Sequence, residues 1–140
     1  MSASTLARRR ASVEEELAKD STVSFKKANP ATRIEFMRHL LRENVMEVSL
    51  AYYAITDEAV IDALRLLLAG IPCRHRACTL HYKLTVIITT STIYTWSGSA
   101  NLTLAAWLHN YELLVFTEGP SGFEAFQLVQ WLWANPILHR

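Results

Sequence analysis

His81 and Lys83 stand two residues apart in the run Leu80-His81-Tyr82-Lys83-Leu84-Thr85-Val86-Ile87, and Gly98-Ser99-Ala100-Asn101-Leu102-Thr103 follows a second apolar run. Side chains on a strand alternate between faces, so an imidazole and an ammonium at this spacing point the same way. The apolar residues after Lys83 predict a hairpin that ends in the Gly-Ser-x-Asn turn. That turn brings a hydroxyl, a carboxamide and backbone N–H groups toward the imidazole and the ammonium. Such a set suits a phosphate diester: a nucleophile or base, one fixed cation, and neutral donors for the nonbridging oxygens. Taken alone, a His and a Lys on a strand are an ordinary surface pair; the turn at return distance gives them a chemical reading.

The elements that must hold these residues are legible along the chain. Residues 1 to about 20 read as a polar helix, with Ser12 and Glu15 at capping-box spacing. Ser21 to Ala28 reads as a connector, and Asn29-Pro30 starts an amphipathic helix with Ile34, Phe36, Met37, Leu40 and Leu41 on one side and Arg33, Arg38 and Arg42 on the other. Val45 to Tyr53 is a buried strand, and Thr56-Asp57-Glu58 caps a helix that runs through Leu68 to Gly70, a βα unit with a parallel return. Strands are expected over Thr79–Ile88, Thr92–Trp96 and Glu112–Phe116, a short helix over Leu102–Leu108 and a last helix over Phe123–Trp133. The expected fold class is α/β, a mixed central sheet flanked by helices. Residues 1–28 form a helical arm and 29–140 the domain that carries the site.

The pattern His-x-Lys, apolar strand, Gly-Ser-x-Asn resembles the phospholipase D superfamily, whose signature is His-x-Lys, four residues, Asp, then Gly-Ser-x-Asn. Upstream, Val48 to Asp57 followed by a helix and Gly70 is similar to the family's strand–Thr-Asp–helix unit. Downstream, Asn110-Tyr111-Glu112-Leu113-Leu114-Val115 is similar to its Asn-x-Glu strand. The resemblance spans roughly residues 30 to 135. Three departures stand out: Ile88 occupies the Asp position, the hairpin after His81 is longer, and only Ile71 to Leu80 separate Gly70 from His81. The resemblance therefore implies a shortened phospholipase D-like domain.

It also implies roles. His81 is the nucleophile that forms a phosphohistidine, Lys83 and Asn101 hold the nonbridging oxygens, Ser99 assists, and Glu112 accepts a hydrogen bond from the catalytic imidazole. One imidazole cannot be nucleophile and general acid at once, so the second must be the partner subunit's His81, and a homodimer is required. No metal or organic cofactor is implied. The substrate is a phosphodiester, with nucleic acid favoured over phospholipid. The alternative function is that of a catalytically inactive relative kept as a binding or scaffold module.

Composition bounds these readings. With 140 residues, 51% of them hydrophobic and 19% charged, the chain suits one globular core. A net charge of +1 excludes a bulk basic footprint, so any nucleic-acid surface must be local. Cys73 and Cys78 make no disulfide framework, and Cys73-Arg74-His75-Arg76-Ala77-Cys78 lacks the usual zinc spacing. No stretch has signal-peptide or membrane-span character, so the expected location is cytoplasmic, without integral membrane association. Trp96, Trp107, Trp131 and Trp133 read as packing residues.

Overall fold

A six-stranded sheet carries five helices, in a computed structural model that describes residues 2–71, 73–76 and 82–134, with side chains described outside 12–20 and 73–76. The elements in chain order are α1 (Ala3–Asp20), β1 (Thr22–Lys27), α2 (Pro30–Leu40), β2 (Val45–Tyr52), α3 (Glu58–Leu68), β3 (Cys73–Arg76), β4 (Lys83–Thr89), β5 (Ile93–Gly98), α4 (Leu104–Leu108), β6 (Leu113–Glu118) and α5 (Gly122–Ala134). Their order across the sheet is β1-β6-β5-β4-β2-β3. Only β2 and β3 run parallel, joined by the crossover helix α3; every other neighbouring pair is antiparallel. The mixed α/β architecture expected from the sequence is present.

Alternation along the strands divides the sheet into two faces. One face, with Val48, Leu50, Tyr52, Ile87, Tyr94, Trp96 and Leu114, packs on Phe36 and Leu40 of α2, Val60, Ala63 and Leu64 of α3, and Ala106 and Trp107 of α4. Phe36 fastens this core by meeting Trp96 edge-on at 5.8 Å and Trp107 at 5.9 Å between ring centroids. The other face receives α5, whose Leu132 packs on Ala51. A Cβ at Gly122 would lie 2.4 Å from Cγ2 of Ile93, so the missing side chain lets α5 start directly against β5.

One sequence expectation changes here, and the parallel return expected after Gly70 is found. The connector expected over 21–28 is strand β1, which pairs along its whole length with β6, from Thr22↔Glu118 to Lys27↔Leu113. Pairing with a distant strand overrides its weak local signal. The short interval after Gly70 still holds a strand, since Cys73–Arg76 pairs with Val48–Ala51 of β2.

The start of α2 follows its sequence closely. Asn29 accepts from the Thr32 N–H at 2.9 Å, and Thr32 Oγ1 accepts from the Asn29 N–H at 2.8 Å, a reciprocal cap with Pro30 in the first turn. The apolar face of α2 is rotated from expectation. Ile34 and Leu41 are exposed, whereas Arg33 turns inward to Asp57. Trp96 and Trp107 are core residues as expected; Trp131 is half exposed on α5.

Candidate active site

Lys83 opens β4 and pairs with Tyr52, the last residue of β2. On its other side, Leu84↔Ser97 fixes the register of β4 against β5, which brings the end of β5 level with Lys83. The chain then leaves the sheet through Gly98, with φ of 126°, into Ser99-Ala100-Asn101. A Cβ at Gly98 would lie 2.1 Å from the carbonyl oxygen of Leu113, so only glycine allows β5 and β6 to approach this closely at the turn. Lys83 and the Gly-Ser-x-Asn loop therefore share one end of the sheet.

The loop is fastened at several points. The Ser99 N–H donates to the Leu113 carbonyl at 2.9 Å, while Ser99 Oγ accepts from the Leu113 N–H at 2.9 Å and donates to Glu112 Oε2 at 2.5 Å. Asn101 Oδ1 accepts from the Ala54 N–H at 3.2 Å, just beyond the end of β2. With Oδ1 committed to a backbone donor, the group Asn101 has for an anionic oxygen is its Nδ2–H2. That is the polarity a phosphate needs.

Buried Leu102 continues the attachment. It forms a parallel bridge with Ile55, donates to the Ala54 carbonyl at 3.2 Å, and accepts from the Thr56 and Asp57 N–H groups at 2.9 Å each. Asp57 is 1% exposed and caps α3 through the Ala59 N–H. Arg33 Nε and a terminal guanidinium nitrogen donate to its two carboxylate oxygens, both at 2.7 Å. The Arg33 hydrogen bonds hold the Asp57 carboxyl below its ordinary range, against the opposing effect of burial. Thus α2, the start of α3 and the Asn101 loop form one braced unit beneath the site.

Among the sequence-predicted residues, the structure brings Lys83, Ser99, Asn101 and Glu112 to the same end of the sheet; His81 and Cys78 lie outside the described residues. Glu112, expected opposite His81, has Ser99 as its hydrogen-bond partner here. Tyr52 lies buried beside Lys83, and its hydroxyl bonds Thr85 Oγ1 at 2.7 Å; burial raises the phenol's pKa. Ile88, at the family's Asp position, is half-buried and pairs with Ile93 near the far end of the hairpin. It stands five residues on from Lys83, about 17 Å along β4. Next to Glu112 opens a cavity of about 430 Å³ lined by Lys27, Ala28, Asn29, Asn110, Tyr111 and Leu113. Nothing local in the chain signals this cavity, which needs β1 beside β6. Among the described residues, no cluster of His, Cys, Asp and Glu is arranged to hold a metal ion. Nor is any helix among them long and apolar enough to cross a membrane.

The fold is shared with two solved structures, each at low sequence identity. The chain is similar to NucT from Helicobacter pylori, with a TM-score of 0.66 and 15% identity over 82% of this chain and 97% of that one. It is similar to Nuc from Salmonella typhimurium, a phospholipase D family member, with a TM-score of 0.65 and 15% identity over 82% and 95% of the two chains. No protein-family model and no curated protein matches the sequence.

Proposed function

We propose that this chain hydrolyses phosphodiesters through a phosphohistidine on His81, as a homodimer, with nucleic acid as the preferred substrate. The observation that carries the reading is the common position of Lys83 and the Ser99–Asn101 loop at one sheet end, with the Asn101 carboxamide held by its oxygen. In this mechanism an imidazole nitrogen of His81 attacks phosphorus. The bond to the leaving oxygen breaks, and that oxygen takes a proton from the partner subunit's His81. Lys83 and the Asn101 amide neutralise charge on the nonbridging oxygens, where it concentrates in the transition state. Water, deprotonated by the now neutral second imidazole, then attacks phosphorus and releases His81. Glu112, hydrogen bonded to Ser99, keeps the loop in place and supplies negative charge near the imidazolium.

The second reading is an inactive relative that retains the fold as a scaffold, and the observation favouring it is Ile88 at the family's Asp position. Its distance along β4 from Lys83 argues that the replaced group would not touch a phosphate held by Lys83. The test is hydrolysis of bis-(p-nitrophenyl) phosphate with and without EDTA. The hydrolase reading expects turnover that EDTA leaves unchanged and His81→Ala abolishes, with an acid-labile phosphoryl group trapped on the wild-type protein. No turnover, or turnover indifferent to His81→Ala, refutes it in favour of the scaffold.

A further inference from the structure

Ahead of the stretch that resembles the phospholipase D superfamily stands α1, 18 residues and about 27 Å long. At its start the Ser2 hydroxyl accepts from the Thr5 N–H at 3.2 Å. From Ala3 to Ala11 every side chain but that of Thr5 is exposed, Leu6 included. Only Ser21 separates α1 from β1, and the Ser21 hydroxyl accepts from the Ser121 N–H at 3.0 Å. A helix that packs back on the strand it feeds needs a connection of about two to six residues, so α1 has no slack to cover its own β1. Thr22 pairs with Glu118, which pairs in turn with Tyr94 near the hairpin tip. The arm therefore joins the sheet at the end away from Lys83.

A lone helix of this length is marginal in water, and the order of residues in α1 points to what stabilises it. At about 100° per residue, all its apolar residues, from Ala3 to Ala18, fall within an arc of about 160°. Arg10 and Glu14 lie in the middle of that arc rather than on the polar side. Basic before acidic is the weaker order for an i,i+4 pair within one helix, so these charges are not placed for α1 alone. Arg8-Arg9-Arg10 and Glu14-Glu15-Glu16 are instead equal and opposite blocks on either side of Ser12. We propose that α1 pairs antiparallel with α1 of a second copy, in a register centred on Ser12. Each Arg block then meets the partner's Glu block, with Arg10 against the partner's Glu14 inside the apolar seam. Leu6 packs on the partner's Ala18, Ala7 on the partner's Leu17 and Ala11 on the partner's Val13, a larger residue against a smaller one at each level. A parallel pair would set Arg on Arg and Glu on Glu, and that repulsion selects against it. The pairing is separate from the contact that His81 requires, because the arms leave the sheet at its other end.

Charge exchange tests the proposal in the full-length chain, with mass read by sedimentation at micromolar concentration and low salt. One variant is Arg8→Glu/Arg9→Glu/Arg10→Glu, a second is Glu14→Arg/Glu15→Arg/Glu16→Arg, and a third combines both sets. In either single-set variant the antiparallel arms bring like charges together, which weakens their pairing at least about hundredfold. Each should therefore sediment at no more than half the wild-type mass. An equimolar mixture of the two, and the third variant alone, should recover the wild-type mass, and that recovery also establishes that the variants fold. Single-set variants as heavy as wild type, a mixture that stays apart, or a third variant that fails to recover overturns the proposal. The mass of the single-set variants reads the other contact independently. Dimers are what the phosphohistidine reading requires and monomers count against it, whichever way the arm is decided.

Discussion

Arg33 grips Asp57 with two hydrogen bonds of 2.7 Å, one to each carboxylate oxygen, and so ties the first turn of α2 to the N-terminus of α3. The same Asp57 donates its N–H to Leu102, within the segment that presents Asn101. The ion pair thus acts on the site at one remove.

Removing Arg33 leaves a buried carboxylate without its main partner. Arg33→Ala should destabilise the protein by about 3–5 kcal/mol in urea unfolding at pH 7. The folded-state pKa of Asp57 is depressed, so its contribution is full above the unfolded carboxylate value near 4 and is lost as pH falls below it. Wild-type stability should drop on acidification below that value, and in Arg33→Ala the drop should be shallower. Parallel curves for the two proteins would contradict this.

His39 gives a second pH dependence in a different window. Its ring stacks on Phe116 at 4.9 Å and lies 4.5 Å from Tyr94, and its Nδ1 accepts from Arg42 Nε at 3.1 Å. Burial, and then the charge of Arg42, lower its pKa, with Glu118 and Glu35 opposing. A depressed histidine favours the neutral form in the fold, so stability is full above the unfolded value near 6.5 and is lost as pH falls toward the folded one. Replacing His39 by Phe should flatten the stability curve as pH falls below about 6.5. A slope that survives the substitution would assign it to other groups.

At Gly98 a side chain would collide with the backbone of Leu113 in a conformation that L-residues rarely adopt. Gly98→Ala should destabilise by about 2 kcal/mol or more. It should also cost diester hydrolysis beyond that loss when assayed below its melting temperature, because the Ser99–Asn101 loop hangs from this residue. A folded variant with wild-type turnover would separate the loop from the chemistry.

Much of this arrangement was legible because its causes are local. Asn29-Pro30 announces a helix start, Thr56-Asp57 another, and the spacing of His81, Lys83, Ser99 and Asn101 anticipates a hairpin ending at the site. What was not legible has distant causes. The strand Thr22–Lys27 exists because β6 offers it a partner, and nothing in its own alternation says so. Arg33 looks like a solvent-side residue of α2 until Asp57 is placed beside it, and Ile34 is left outside as a result. The pairing of Ser99 with Glu112 needs the register of β5 against β6, which only the folded sheet supplies.

Substitutions at the phosphate-holding groups should lower kcat more than they raise KM, because the charge they meet grows in the transition state. Lys83→Ala and Asn101→Ala should each reduce kcat for bis-(p-nitrophenyl) phosphate by about 100- to 1000-fold. Asn101→Asp should be at least as damaging as Asn101→Ala, since it replaces a donor with a second anion facing the phosphate. Equal activity of Asp and Asn at position 101 would remove that residue from the site.

The strongest test of the mechanism is how activity responds to dilution of His81 among subunits. If one imidazole attacks phosphorus while a second, on the partner subunit, protonates the leaving oxygen, a dimer with only one His81 has no complete site. His39 and His109 do not serve as substitutes: His39 is packed among Tyr94, Trp96 and Phe116, and His109 is exposed past the end of α4. Wild type and His81→Ala, mixed and allowed to exchange subunits, should therefore lose activity as the square of the wild-type fraction. An equal mixture should retain about a quarter of the wild-type activity rather than half, given a two-fold symmetric pair with one shared site. A linear decline, with light scattering showing dimers that exchange, would mean that each subunit works alone and that the proton comes from another group. A monomer at micromolar concentration that hydrolyses diesters would carry the same meaning, and would return the general-acid role to a residue within the chain.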